Sequence, residues 1–218
     1  MRFRIDLKIF IFLIIFYFTK QIELYAFIMF FAFVHELGHL IAGLIMRMKP
    51  EKIELMPFGF SISFKISVEE YNKKIKKGNM LEIKKIIVAI AGPITNFIII
   101  LLTDILNIDT LKSIIIIYTN FLIMIFNLLP IYPLDGGRIL KSILYINFGK
   151  RKTEKYINLI SKITVIIMVA LSSILILYLH NIAIFLIDIY LLYLMLKEDL
   201  KYKKRIEIYK KVLENGTI

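Results

Sequence analysis

The chain has 218 residues, 59% of them hydrophobic, a mean hydropathy of +0.75 and a net charge of +12. Globular domains are nearer half apolar, and the excess here lies in runs such as 86–102, 114–131 and 163–179, none of which contains Lys, Arg, Asp or Glu. Runs of that length exclude an ordinary soluble fold, and the lack of cysteine excludes disulfides and thiolate metal ligands, leaving His, Asp and Glu.

Of the 29 basic residues, 27 fall in four groups, at 2–8, 47–85, 138–162 and 197–211, which alternate with the apolar runs. Such alternation is what the positive-inside rule produces, so the charge reads as topology and contact with anionic lipid, not as a nucleic-acid footprint.

In chain order, the first apolar segment predicts an uncleaved span over 5–20, with Arg4 and Lys8 snorkelling and no small-residue cleavage site after it. A second span is predicted over 22–46. Between 49 and 85 the pattern changes. Phe60, Ile62, Phe64 and Ile66 alternate with Ser61, Ser63, Lys65 and Ser67, and Lys52-Ile53-Glu54-Leu55 alternates more weakly. Period two predicts strands, and Pro57-Phe58-Gly59 supplies the turn of a hairpin lying on or dipping into the membrane. Residues 68–85 are charged and predict a cytosolic helix. Further spans are predicted over 86–106, 114–129, 156–179 and 182–196. The fold class is therefore an all-α polytopic membrane protein of about six transmembrane helices, with a small membrane-associated β-hairpin between spans two and three. Six spans place both termini on one side, and the charge makes that side cytoplasmic. The basic stretch 197–211 is too short for a soluble domain, so residues 1–218 read as a single domain.

His35-Glu36-Leu37-Gly38-His39 fits H-E-x-x-H. On a helix both imidazoles share one face and can reach one metal, with Glu36 beside its water as a general base. The motif lies mid-span, where ionisable groups cost at least about 2.5 kcal/mol each unless paired or metal-bound. The alternative is a polar cluster that packs helices. Catalytic zinc usually takes three protein ligands, so a third is needed. His180 reads as a loop residue at the outer surface. Asp135 lies in the proline- and glycine-broken stretch 127–138, and broken helices are tolerated at membrane depth where they line a wet site. Alone, Asp135 would read as the cap of a helix over 136–145; beside an incomplete zinc site it is the favoured ligand. Ala91-Gly92-Pro93-Ile94-Thr95-Asn96 reads as helix packing, with Asn96 bonding across helices. Asp188 has no evident partner beyond snorkelling or pairing.

These residues resemble the site-2 protease family of intramembrane metalloproteases. The likeness rests on H-E-L-G-H at 35–39, A-G-P-x-x-N at 91–96 and N-x-x-P-x-x-P-L-D-G-G-R at 127–138, in that order. The resemblance implies one zinc held by His35, His39 and Asp135, Glu36 as base, and Asn127 helping to hold substrate. It implies a membrane-tethered protein substrate cut within or near its transmembrane segment, with regulatory membrane partners. The six-span plan looks closest to the branch of the stage IV sporulation factor, which processes a tethered sigma-factor precursor. The lack of a PDZ-sized insertion argues against the envelope-stress branch, and the expectation departs from sporulation members in one respect, the cystathionine-synthase-type domain they often carry at the C-terminus. The rival reading is a non-proteolytic metal-binding protein or transporter, which would not need a carboxylate between two ligands.

Overall fold

The computed structural model describes residues 2–56, 59–65, 75–106, 110–179 and 182–215. The chain forms two compact units, Met1–Leu128 and Leu129–Ile218.

The first unit holds β1 (Arg2–Ile5), α1 (Lys8–Phe18), α2 (Ile22–Ile45), β2 (Lys49–Met56), β3 (Gly59–Lys65), α3 (Ile75–Ile105) and α4 (Thr110–Leu128). At 24 residues α2 is about 36 Å long, enough to cross a hydrocarbon core of about 30 Å. Among the described residues, three segments are long and apolar enough to cross a membrane: Tyr25–Ile45, Asn79–Ile105 and Lys152–Ser173. Lys112–Leu128 and Ile9–Phe18 are shorter apolar helices. On α2, Phe30, Phe33, Ile41 and Leu44 point outward, an apolar surface suited to lipid.

The first predicted span, 5–20, is corrected. Its helix has 11 residues, about 16 Å, because Arg2–Ile5 joins a sheet instead. At its other end the Lys20 N–H bonds the Tyr17 carbonyl at 3.1 Å and the Gln21 N–H the Phe16 carbonyl at 2.9 Å. With Lys20 at φ 56°, this is a Schellman closure. The same closure ends α2: Arg47, at φ 58°, bonds back to Leu44 and Met48 to Gly43, turning the chain into β2.

The predicted hairpin is present and gains a third strand. The order is β1-β2-β3, with β1 parallel and β3 antiparallel to β2. The register pairs Ile53 with Ile62 and Lys52 with Arg2, with a bulge between Pro50 and Lys52. Ile62 is buried and Ser63 exposed, as period two requires. Phe64 packs its ring over Gly43, one turn beyond His39, where any Cβ would overlap the ring. Residues 66–67 of the predicted strand, and 68–74 of the predicted cytosolic helix, lie outside the described residues; 75–85 are the start of α3.

The second unit holds α5 (Asp135–Leu179) and α6 (Ile182–Asn215). Helix α5 bends at Gly149, whose φ of 71° and ψ of 171° are open to glycine and strained for other residues. Ile131, Val165 and Leu191 form its buried centre, so the loop before Asp135 packs between α5 and α6. Outside the apolar part of α6, Asp199 accepts from Lys162 at 2.7 Å, from Asn158 at 3.0 Å and from Lys203 at 3.1 Å. Those donors, Lys162 foremost, hold its carboxyl well below the usual range. Glu154 pairs with Lys141 at 2.9 Å and Arg205 at 3.1 Å, and Lys141 sits 4.3 Å above the Tyr132 ring.

Candidate metal centre

His35 and His39 are four residues apart on α2, so their rings share a face. Both are buried, with ring centroids 4.8 Å apart and ring planes at 85°. His39 Nδ1 lies 2.7 Å from the Val88 carbonyl of α3. A carbonyl can only accept, so the neutral ring carries its proton on Nδ1. His35 Nδ1 meets Asn96 Oδ1, also on α3, and the same assignment follows.

Each ring therefore presents Nε2 as a lone pair, and the two Nε2 atoms converge at 3.1 Å. Two like lone pairs at that distance repel; a cation between them turns the repulsion into attraction. Two nitrogens each about 2.0–2.1 Å from one tetrahedral zinc stand about 3.3–3.4 Å apart, close to the separation found here. The donor pair fits a metal with little rearrangement.

The α3 surface is shaped to this pair. A Cβ at Gly92 would overlap His39 Cε1 and Nε2 and lie 2.6 Å from His35 Nε2. Glycine is required there by space, not by φ. Gly38, on the opposite side of the helix contact, meets Thr95 and the Ala91 carbonyl in the same way. Asn96 is wholly buried, and its Nδ2 donates to Asn120 Oδ1 of α4 at 2.7 Å. Glu36, between the two histidines in sequence, is half-buried, with Oε2 shielded from solvent.

In the second unit Asp135 is the first residue of α5 and is buried, with Arg138 Nη1 3.6 Å from its Oδ1. The loop before it is held by Tyr132 N–H donating to Ser161 Oγ at 3.0 Å and Leu134 N–H to the Ile131 carbonyl at 2.8 Å. A Cβ at Gly137 would lie 2.5 Å from that same Ile131 carbonyl, so glycine is what allows the backbone to approach so closely here. Asn127, half-buried in the last turn of α4, donates through Nδ2 to the Ile123 carbonyl at 3.0 Å.

Some features were missed or fall elsewhere. Asn96, read as helix packing, also accepts from His35. Asn120 was not singled out, although an Asn inside the run 114–131 is costly unless bonded and so carries a signal. His180 and the Asp188 side chain lie outside the described residues.

The model of peptidase family M50 matches residues 23–108 and 105–171. The chain is 33% identical over 143 residues to a zinc metalloprotease of Methanocaldococcus jannaschii, covering 62% of this chain and 38% of that one. It is 31% identical over 111 residues to the stage IV sporulation protein FB of Bacillus subtilis, covering 49% of this chain and 35% of that one. The matched segments thus span well under half the length of either curated relative. Its fold is similar to a solved site-2 protease from Methanocaldococcus jannaschii, with a TM-score of 0.63, 24% identity, and coverage of 89% of this chain and 88% of that one.

Proposed function

The chain belongs to peptidase family M50, the site-2 protease family, and on that premise we propose that it is an intramembrane zinc metallopeptidase. Its substrate is a membrane-tethered protein, cut within or near its transmembrane segment. The observation that carries the reading is the convergence of two imidazole lone pairs, at 3.1 Å, on an apolar helix whose sequence is H-E-x-x-H.

His35 and His39 supply two ligands and Asp135 the third, which leaves a fourth position open. The support for Asp135 is its burial at a helix start in a proline-broken apolar stretch, where an ionisable side chain is functional by default. When bound, zinc supplies Lewis acidity that makes water a nucleophile at neutral pH and a positive charge beside the scissile carbonyl. Glu36 takes the proton of the attacking water on a carboxylate oxygen and returns it to the leaving amine. His35 and His39 keep their Nδ1 protons throughout, because acceptors on α3 hold them. Asn127 helps hold the substrate near the site.

A transmembrane substrate must unwind before its carbonyl can be attacked, and its freed amides then need partners. Strand β3 is at one edge of the sheet and packs on α2 through Phe64, so an extended substrate adds to it by backbone bonds. The chain crosses the membrane six times, with both termini cytoplasmic, the first crossing made by the short apolar helix α1, and both units act as one catalytic domain. A tethered sigma-factor precursor is the first substrate class to try.

The test is co-expression with tethered transcription factors, comparing the intact chain with Glu36→Gln. Cleavage by the intact chain, abolished by Glu36→Gln with zinc content unchanged, supports a hydrolase over a metal transporter. Retention of even a tenth of the rate would remove Glu36 as the base.

A further inference from the structure

We propose that Asn96 and Asn120 are positioning residues, a relay reaching from α4 through α3 that fixes both the direction and the tautomer of the His35 ring. The inference rests on the metal reading of His35 and His39 and adds to it residues that hold no metal.

The polarity of the relay is set at its far end. Asn120 Nδ2 donates to the Ile116 carbonyl at 2.9 Å, and a backbone carbonyl can only accept. That turns Asn120 Oδ1 towards Asn96, whose Nδ2 donates to it at 2.7 Å. Asn96 Oδ1 then faces His35 Nδ1, which must carry the proton, and Nε2 is left as the ligand atom. Reversing the Asn96 amide would set oxygen against oxygen at Asn120, whose own amide is fixed by the Ile116 carbonyl. Both asparagines are wholly buried, so solvent cannot substitute for a lost partner. His39 achieves the same result in one step through the Val88 carbonyl, which no side-chain substitution removes. The site is therefore asymmetric. One ligand is oriented by backbone, and the other by two side chains that can be changed. It also gives α4 a part in the metal centre although none of its residues is a ligand.

The competing role is simple helix adhesion, since the same bonds tie α2, α3 and α4 together. The two roles differ in how their effects combine. A relay acts in series, so Asn120 matters to the metal only through Asn96; adhesion effects of separate bonds add.

The experiment uses the full chain in detergent, with Co(II) as probe, reading both its visible ligand-field spectrum and its Kd by chelator competition. Asn96→Leu is expected to weaken Co(II) binding about 10–100-fold and to alter the spectrum, the usual effect of removing a histidine's outer partner. Asn96→Asp, which keeps an acceptor for His35 and loses the donor to Asn120, should recover most of that affinity. Asn120→Leu should weaken binding by a smaller factor, and that factor should vanish in the Asn96→Leu background. Wild-type affinity and spectrum in Asn96→Leu would overturn the proposal. So would a loss from Asn120→Leu that persists undiminished in the double variant. If Asn96→Leu does not fold, failure of Asn120→Leu to change either readout overturns it equally. A folded wild-type chain that binds no Co(II), with His35→Ala indistinguishable from it, would instead defeat the metal reading itself.

Discussion

Gly92→Ala adds one methyl group where the metal site is tightest. In an ordinary helix this change is favourable, by about 1 kcal/mol, because alanine loses less backbone entropy. Here the new Cβ would lie 2.6 Å from His35 Nε2 and overlap the His39 ring. An ordinary van der Waals contact is at least about 3.4 Å, and with the His39 ring closer still the rings or the helices must separate by roughly 1 Å. Metal–ligand distances tolerate about 0.2 Å, and overpacking of this kind costs about 1–3 kcal/mol. The strain outweighs the helix gain, and both ligands leave their positions together. The expected result is a folded protein, modestly less stable, whose zinc affinity drops at least about 100-fold, a loss of about 3 kcal/mol of metal binding. Metal analysis after gel filtration, with thermal unfolding in detergent, measures both quantities. Gly38→Ala is the control. Its Cβ meets Thr95 and the Ala91 carbonyl instead of the rings, so it should lose stability while keeping zinc. Gly92→Ala with wild-type zinc affinity would refute the argument that α3 presses directly on the ligand atoms.

Zinc should be lost in His35→Ala and His39→Ala and strongly weakened in Asp135→Ala; a full zinc complement in Asp135→Ala would remove that residue from the ligand set. Ile62→Pro, which removes one ladder donor from β3, should cripple cleavage with zinc retained, whereas Ser61→Ala and Ser63→Ala should matter little; normal turnover by Ile62→Pro would sink strand addition. The folded Asp199 carboxyl is held below its unfolded value of about 3.8. Its contribution is therefore complete above about pH 4 and lost as pH falls towards the folded value. Asp199→Asn should lower the melting temperature at pH 7 and flatten the acid limb below pH 4, and an unchanged acid limb would count against the pairing with Lys162. Reporter fusions at Asn107 and Asn181 should map opposite to fusions in 138–162, and a cytoplasmic signal from either would break the six-span order.

The parts of this structure that were legible in the sequence are those governed by local period. The four-residue spacing of His35 and His39 places both rings on one face, and the alternation around Ile62 places it against the core. What stayed hidden depends on partners far apart in the chain. Arg2–Ile5 alternates polar and apolar residues, a period-two signal masked by the apolar helix that follows, and its partner β2 lies some fifty positions later. Asn120 looks like one polar residue in an apolar run until α3 brings Asn96 against it. Gly149 sits in a stretch of mixed residues where the kink is visible only from its φ.

The parallel pairing of β1 with β2 bears on the order in which this chain assembles. Strands β2 and β3 adjoin, so their hairpin can close within microseconds of synthesis. Strand β1 must wait until α1 and α2 have both formed and returned the chain alongside it, and closing so long a loop costs entropy that four residue pairs barely recover. The amino-terminal strand is thus the last piece seated and the first to open. Its amides, Phe3 to Asp6, should exchange with deuterium well before those of β3. Until it docks, β2 presents a bare edge, the form in which a nascent chain is most prone to pair with a neighbour.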